Sequence, residues 1–207
     1  MPDRQPRVGE QRPGGRAARV RSAILEATAE LLNEVGYDDL SVEEVAVRAG
    51  VHKTTVYRRW PTKPGLIADA ARVHSDQHVP IPDTGSLLGD LRALARAVAA
   101  NIGSETGARR SQSIAAAAGA SPELAANMHV FWAERLTASG KVVERAIERG
   151  ELPASTDASL VVETLIGPMW VRLLLTGEPI TTDLADRVAE FVGAGACHPL
   201  GARQRQK

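Results

Sequence analysis

The chain has 207 residues, enough for a small domain and a larger one with a sizeable buried core. Its formal net charge is zero, so the protein is not globally basic, and its single cysteine, Cys197, excludes an intrachain disulfide. The N-terminus lacks the apolar core of a signal peptide, and the apolar run around residues 160–175 is interrupted by Glu, Gly, Pro and Arg. We therefore expect a cytoplasmic protein with no membrane-spanning segment.

The first 17 residues are rich in Pro, Gly and Arg, which predicts a disordered basic arm. Positive charge continues into the following residues, with six arginines against two acidic residues by position 21. Such an arm can follow DNA phosphates or enter a minor groove. A second basic segment, residues 199–207, is expected to be a solvated tail.

The first predicted helix carries apolar residues at helical spacing from Val20 to Val35, and Gly36 closes it. Two short helices follow at about residues 41–60, separated by a turn at Gly50. Ser41 and Glu44 form a capping box for the first of them. On the second, Val56 and Trp60 share one face, so the opposite face is polar and basic. This layout is typical of a helix-turn-helix, whose second helix enters the major groove.

Residues 49–63, Ala-Gly-Val-His-Lys-Thr-Thr-Val-Tyr-Arg-Arg-Trp-Pro-Thr-Lys, resemble the tetracycline-repressor (TetR) family of bacterial regulators, as does the preceding helix, residues 23–36. The resemblance covers about residues 18–78, which it identifies as a DNA-binding domain of three helices. His52 stands where the family usually has Ser or Thr, which leaves open whether His52 contacts DNA.

The polar face of the second short helix supplies the candidate DNA contacts. Lys53, Thr54, Thr55 and Arg58 are the candidates for base edges. Ser41, Tyr57 and Lys63 are candidates for phosphates, by resemblance and because such contacts set the register on the duplex. His52 and Arg59 complete the predicted DNA-binding set.

A connecting helix is predicted from Pro64 to about Val79, followed by a Pro- and Gly-rich break at residues 80–85. We place the second domain at residues 79–198 and expect it to consist of helices alone. Its predicted helices cover about residues 87–102, 107–118, 121–149, 158–175 and 183–195, with Ser121, Asp157 and Asp183 as N-caps of the last three.

The helix from Ala158 to Leu175 is apolar on more than one face, so it should be buried on several sides. In a domain this small, a partner subunit is the expected second surface. The alternative is that the last two helices serve only one subunit's core. The resemblance implies a four-helix dimer interface at these two helices. The predicted interface residues are Leu165, Met169, Leu173, Val188 and Phe191.

Large flexible and aromatic side chains are few in this chain and cluster in the second domain, which suggests a small-molecule pocket. The candidates are Gln112, Met128, His129, Phe131, Trp132, Met169 and Trp170. Plain core packing is the alternative for each of them. Pro168 removes a backbone hydrogen bond and should kink its helix.

No residue pattern indicates catalysis, a cofactor or a metal site; His74 and His78 share a helix face without a third ligand of clear spacing. We therefore expect an all-helical, homodimeric repressor that binds a palindromic operator in double-stranded DNA and responds to a small-molecule effector. Two alternatives remain: an effector-independent DNA-binding regulator, and a helical enzyme or adaptor that uses the helix pair for protein contacts.

Overall fold

The structure is a computed structural model, and it describes residues 13–197. These residues form nine α-helices and one π-helical turn. The helices are α1 (Pro13–Asp39), α2 (Val42–Arg48), α3 (Lys53–Arg59), α4 (Lys63–His78), α5 (Leu87–Gly103), α6 (Glu105–Ala120), α7 (Pro122–Glu148), α8 (Ala158–Val171) and α9 (Thr182–Ala196), and the π-helical turn Arg172–Thr176 extends α8. The predicted all-α fold is confirmed.

Side-chain caps explain where most of these helices begin, because a side-chain oxygen accepts a hydrogen bond from an otherwise unpaired backbone N–H. Ser41, Thr62, Ser86, Ser104, Ser121 and Asp157 cap α2 and α4 to α8 in this way. The last helix differs from the sequence prediction: its cap is Thr181, which accepts from Leu184 N, and Asp183 lies inside the first turn.

The first helix begins earlier than the sequence suggested. It starts at Pro13, so residues 13–17 are helical and do not belong to a disordered arm. Residues 1–12 and the predicted basic tail lie outside the described residues. Gly36 has φ 78° and ψ −171°, a conformation that Gly adopts without strain, and it breaks the helix as predicted.

Two hydrophobic clusters form the core, and the first crosses the predicted domain boundary. It contains residues of α1, α2, α3 and α4, together with Ile114 of α6 and Leu124, Met128 and Phe131 of α7. The second cluster is built by α5, α7, α8 and α9. The DNA-binding helices therefore share apolar packing with the second domain, so movements of α6 and α7 can be transmitted to α1 and α4.

Residues 79–86 link the two parts and are held by side chains of the second domain. The fully buried Asp90 accepts hydrogen bonds from Thr84 N (2.6 Å) and Thr84 Oγ1 (2.8 Å). Arg135 and Arg145 of α7 donate to the carbonyl oxygens of Val79 and Pro82. The predicted break at residues 80–85 is therefore an ordered connection.

The apolar helix near the C-terminus is shorter than predicted, because α8 ends at Val171 and the π-helical turn follows Pro168. By length and mean hydropathy alone, residues Ala158–Thr176 would suffice to cross a membrane, although the core helix of a soluble protein passes the same test. The charged, Gly and Pro residues that interrupt this run therefore do not by themselves exclude a membrane-spanning helix. In the structure, α8 packs against α5, α7 and α9.

Candidate nucleic-acid interface and ligand cavity

His52 begins the predicted recognition helix, α3. Its Nδ1 accepts a hydrogen bond from the backbone N–H of Thr54 (3.5 Å) and lies 3.0 Å from Thr54 Oγ1. His52 therefore does the capping that Ser or Thr usually does, and its ring stays exposed.

The two faces of α3 separate cleanly into core and solvent. Val56 is fully buried, and Trp60 packs inward while its Nε1 donates to Asp69 Oδ2 at 3.0 Å. The exposed residues are Lys53, Thr54, Tyr57, Arg58 and Arg59, and Thr55 is half-buried. These residues form the exposed face of α3 that is predicted to read DNA, which we call the reading face. In the isolated subunit this face is accessible to a binding partner.

The three predicted phosphate-binding residues occupy different environments. Ser41 is exposed and accepts from Glu44 N at 3.1 Å, and Tyr57 places its hydroxyl 3.5 Å from Glu43 Oε1. Lys63 is half-buried: its Nζ lies 4.4 Å from the centroid of the Tyr37 ring and donates to Asp38 O at 3.1 Å. Burial lowers the pKa of Lys63. This ammonium must leave Asp38 O or share it to reach a phosphate.

Basic residues of α1 lie next to the helix-turn-helix. Arg16 and Arg19 line a shallow groove together with Gly50 and Val51, the turn between α2 and α3. Gly50 has φ +65°, so the turn uses the left-handed conformation that Gly favours. The start of α1 therefore adds positive charge beside the reading face.

A cavity of about 390 Å³ lies between the two parts of the protein, a volume typical of small-molecule sites. Its walls come from α1, α4, α5, α6, α7 and α8. Among the predicted pocket residues, Met128, His129, Phe131, Trp132 and Trp170 line it. Trp132 contacts both Phe131 and Trp170 edge to face, with ring centroids 5.1 Å apart in each pair.

Two predicted pocket residues lie elsewhere. Gln112 projects from α6 to donate to Leu173 O at 2.9 Å, and Met169 is fully buried in the second hydrophobic cluster. Gln112 is exposed, and neither Gln112 nor Met169 borders the cavity.

The polar end of this cavity is formed by residues from four helices and was not predicted from the sequence. Arg110 of α6 donates to Asn33 Oδ1 of α1 (2.8 Å) and to Asn101 Oδ1 of α5 (2.9 Å). His74 of α4 places Nε2 2.8 Å from the same Asn101 oxygen. Both α5 and α6 carry other charged residues, so nothing in the local sequence singled out Asn101 or Arg110.

The pKa of His74 is lowered to about 4 by its burial, by the positive charge of Arg110 and by the nearby ring of His78. The hydrogen bond to Asn101 opposes this shift. His74 is therefore neutral in the folded protein at neutral pH, and its ring stacks on His78 with centroids 3.9 Å apart.

We expect the free energy of unfolding to fall by about 2 kcal/mol between pH 7.5 and pH 5 because of His74. The unfolded chain binds a proton below about pH 6.5, whereas the folded protein does so only near pH 4. The stabilisation is thus present above pH 6.5 and lost as pH decreases. Urea unfolding of His74→Gln should show a flatter pH profile than that of the wild-type protein. Parallel profiles for wild type and His74→Gln would contradict this assignment.

Three of the five predicted interface residues face the core of the subunit itself. Leu165, Met169 and Leu173 are all buried in the second hydrophobic cluster of the subunit itself, and Val188 is half-buried against it. A charge at Leu165 or Leu173 should therefore unfold the subunit before it affects assembly.

A second apolar stripe of α8 faces solvent, and we call it, with Phe191, the α8–α9 face. It comprises Leu160, Thr164, Gly167, Val171, Leu174, Leu175 and Phe191. Leu175 is 80% exposed and Phe191 77%, so these two side chains have little cover within the subunit. Of the five predicted interface residues, Phe191 alone is exposed.

Comparison with known proteins finds the same two-part architecture. Residues 24–70 match the family model "Bacterial regulatory proteins, tetR family", and residues 81–192 match "Tetracyclin repressor-like, C-terminal domain". The HTH-type transcriptional regulator AqdR of Rhodococcus erythropolis is 36% identical over 190 residues, which covers 92% of this chain and 91% of that protein.

Two further matches agree. The DNA-binding transcriptional repressor TetR of Mycobacteroides abscessus is 44% identical over 75 residues, 35% of this chain and 40% of that protein. The crystal structure of the TetR family transcription regulator SCO0332 superposes with a TM-score of 0.75 at 30% identity, and covers 87% of this chain and 100% of that one.

Proposed function

The chain belongs to the tetR family of bacterial regulatory proteins, and from this premise we propose that it is a homodimeric repressor that releases a palindromic operator when a small molecule binds. It is a DNA-binding transcriptional regulator, as its relatives are named, and not an enzyme.

The exposed polar face of α3 is the observation that carries the DNA-binding proposal. Val56 and Trp60 anchor α3 to the core, so its orientation is fixed by packing and its outer residues need no rearrangement to enter a groove. Lys53, Thr54, Thr55 and Arg58 are proposed to contact base edges, and Ser41, Tyr57 and Lys63 to contact phosphates. His52 and Arg59 border this surface.

The α8–α9 face supports the homodimer. Leu160, Val171, Leu175 and Phe191 are all exposed on two helical segments that pack against each other, and exposed apolar patches mark association sites. A two-fold axis through this face would bring two copies of α8 and α9 into a four-helix interface, with the same residues on both sides. Two reading helices related by that axis require an operator with two symmetric half-sites.

The cavity supports regulation by a small molecule. Since the operator lies in the cytoplasm, the proposed regulator acts there. Its walls include Ala29 and Leu32 of α1 and Ala70 and Ala71 of α4, so a bound molecule touches both the DNA-binding helices and the second domain. A ligand changes DNA affinity when it binds one arrangement of these helices better than the other. The cavity therefore favours an effector-responsive regulator over an effector-independent one.

Arg58→Ala should lower affinity for the cognate operator by about 1–3 kcal/mol and relax base preference at one position of each half-site. Arg58 is exposed on α3, opposite Val56 and Trp60, where a guanidinium can make two hydrogen bonds to a guanine edge. The operator is first selected from a random DNA pool, and the affinities are then measured by fluorescence anisotropy at fixed salt.

Arg109→Ala is the matched control, because it removes the same charge from an exposed position on α6, away from the reading face. Equal losses for Arg58→Ala on cognate and scrambled DNA would reduce Arg58 to a phosphate contact. Failure of the wild-type protein to enrich any sequence from the pool would refute the proposed DNA-binding surface.

A further inference from the structure

Arg110 is a buried cation without a counter-ion among the described residues. Its exposed fraction is 8%, and its guanidinium donates only to the neutral amide oxygens of Asn33 and Asn101. No carboxylate among residues 15–197 lies within 4.0 Å of it. Burying an unpaired charge is costly, so its retention calls for a compensating role.

Arg72 provides a comparison, because its guanidinium is paired with two carboxylates. Its Nη1 lies 2.6 Å from Asp69 Oδ1 and its Nη2 lies 2.6 Å from Glu134 Oε2, although it is more exposed than Arg110. The buried guanidinium of Arg110 therefore has less charge compensation than the half-buried guanidinium of Arg72, whereas buried charges are usually the paired ones.

The cavity into which Arg110 opens is positively charged. Arg110 and Arg135 both line it, and the described lining residues include no Asp or Glu. Arg135 has a side chain only 10% exposed, and the nearest carboxylate oxygen, Asp76 Oδ1, is 3.9 Å away. The remaining lining is mostly aliphatic and aromatic, including Phe131, Trp132 and Trp170.

We propose that the cavity binds an apolar organic acid, whose carboxylate pairs with Arg110 while its hydrocarbon body packs against Phe131, Trp132 and Trp170. This inference rests on the proposed effector-responsive function and adds the chemical class of the effector. A carboxylate matches a guanidinium with two parallel hydrogen bonds and neutralises the buried charge. A cationic ligand would be repelled by both arginines, and a neutral one would leave Arg110 uncompensated.

The same pairing connects the ligand to the DNA-binding helices. Arg110 holds Asn33 of α1 and Asn101 of α5 through neutral hydrogen bonds, which are weaker than a bond to a carboxylate. A bound acid draws the guanidinium away from Asn33, so α6 loses a polar link to α1. The acid therefore binds more tightly to the arrangement of helices that does not bind the operator.

The test uses the full-length protein and matched pairs of acids and neutral analogues: 1-naphthoate and 1-naphthamide, 4-phenylbutyrate and 4-phenylbutyramide, decanoate and decan-1-ol. Melting temperature and isothermal titration should show the best acid binding about 10- to 100-fold more tightly than its neutral partner. Preference for the neutral partners, or no acid that stabilises the protein, would overturn the proposal.

Two variants separate a ligand contact from a structural role. Arg110→Met should remove the acid preference, with the neutral partner's affinity changed less than about threefold, and should leave the ligand-free melting temperature unchanged or higher because the buried charge is gone. Arg110→Lys should retain most of the preference. A merely structural Arg110 would instead lower the melting temperature of Arg110→Met and weaken both members of a pair equally.

Operator binding distinguishes this inference from the function on which it rests. Loss of the wild-type protein's operator binding in the presence of the best acid, but not of its neutral partner, supports the inference. Asn33→Ala should still bind the acid, but the ratio of operator affinities without and with acid should move towards one. Operator release by acid and neutral partner alike would refute the class of effector and leave the repressor intact, whereas no operator binding at all would refute the proposed function itself.

Discussion

Phe191→Glu is expected to separate the proposed dimer into folded monomers and to weaken operator binding by about 100-fold or more. Phe191 is 77% exposed in the subunit, so a carboxylate there costs the isolated fold little. In the proposed dimer the same residue is covered by the partner subunit, so the new carboxylate would lose contact with water. A monomer reaches one half-site at a time and loses the gain from binding two linked sites.

Sedimentation velocity and anisotropy on the selected operator measure the two effects. Val130→Glu is the matched control, because Val130 of α7 is also an exposed apolar residue, 55% exposed, but lies outside the α8–α9 face. The control should remain dimeric and keep its operator affinity. If Phe191→Glu sediments as wild type does and binds the operator equally well, the subunits do not meet through this face.

Gly107→Ala is expected to destabilise the fold by about 3 kcal/mol or more, which lowers the melting temperature by roughly 6–12 °C. A Cβ atom on Gly107 would lie 1.8 Å from the backbone oxygen of Asn101 and 2.9 Å from Ser104 Oγ. The backbone at the α5–α6 junction would therefore have to move. That movement displaces Asn101 from Arg110, so ligand response should weaken along with stability.

Gly119→Ala is the matched control on the same helix, since a Cβ atom there meets nothing within 4 Å. Replacing an exposed helical Gly by Ala usually stabilises a helix, so this variant should melt at the wild-type temperature or slightly above it. Thermal unfolding followed by circular dichroism compares the two. Equal melting temperatures for both variants would show that the junction accommodates the extra methyl group.

Much of the DNA-binding part could be predicted from local sequence because its signals are short-range. Ser41 accepts from Glu44 three residues later, Gly36 and Gly50 have the positive φ values that end or turn a helix, and Val56 and Trp60 share a face through helical periodicity. The motif around Lys53 to Lys63 was enough to indicate the family. Even His52, an unusual residue for its position, is explained by a hydrogen bond to Thr54, two residues away.

The sites in the second domain depend on contacts between residues far apart in the chain. Periodicity indicates that α8 is apolar on two sides, but it cannot tell which side faces the subunit's own core, and the structure buries Leu165 while it exposes Leu160. The partners of Arg110 include Asn33, 77 positions away, so no local pattern identifies a buried charge without a counter-ion.

The sequence by itself therefore determined the approximate helices, several of their caps and the exposed polar face of α3, since each depends on residues within about one or two helical turns. Tertiary structure alone decided which apolar stripe of α8 stays exposed and which side chains border the cavity. The physical reason is that packing selects one among several faces that are locally equivalent, and this choice is made by the neighbouring helices rather than by the helix itself.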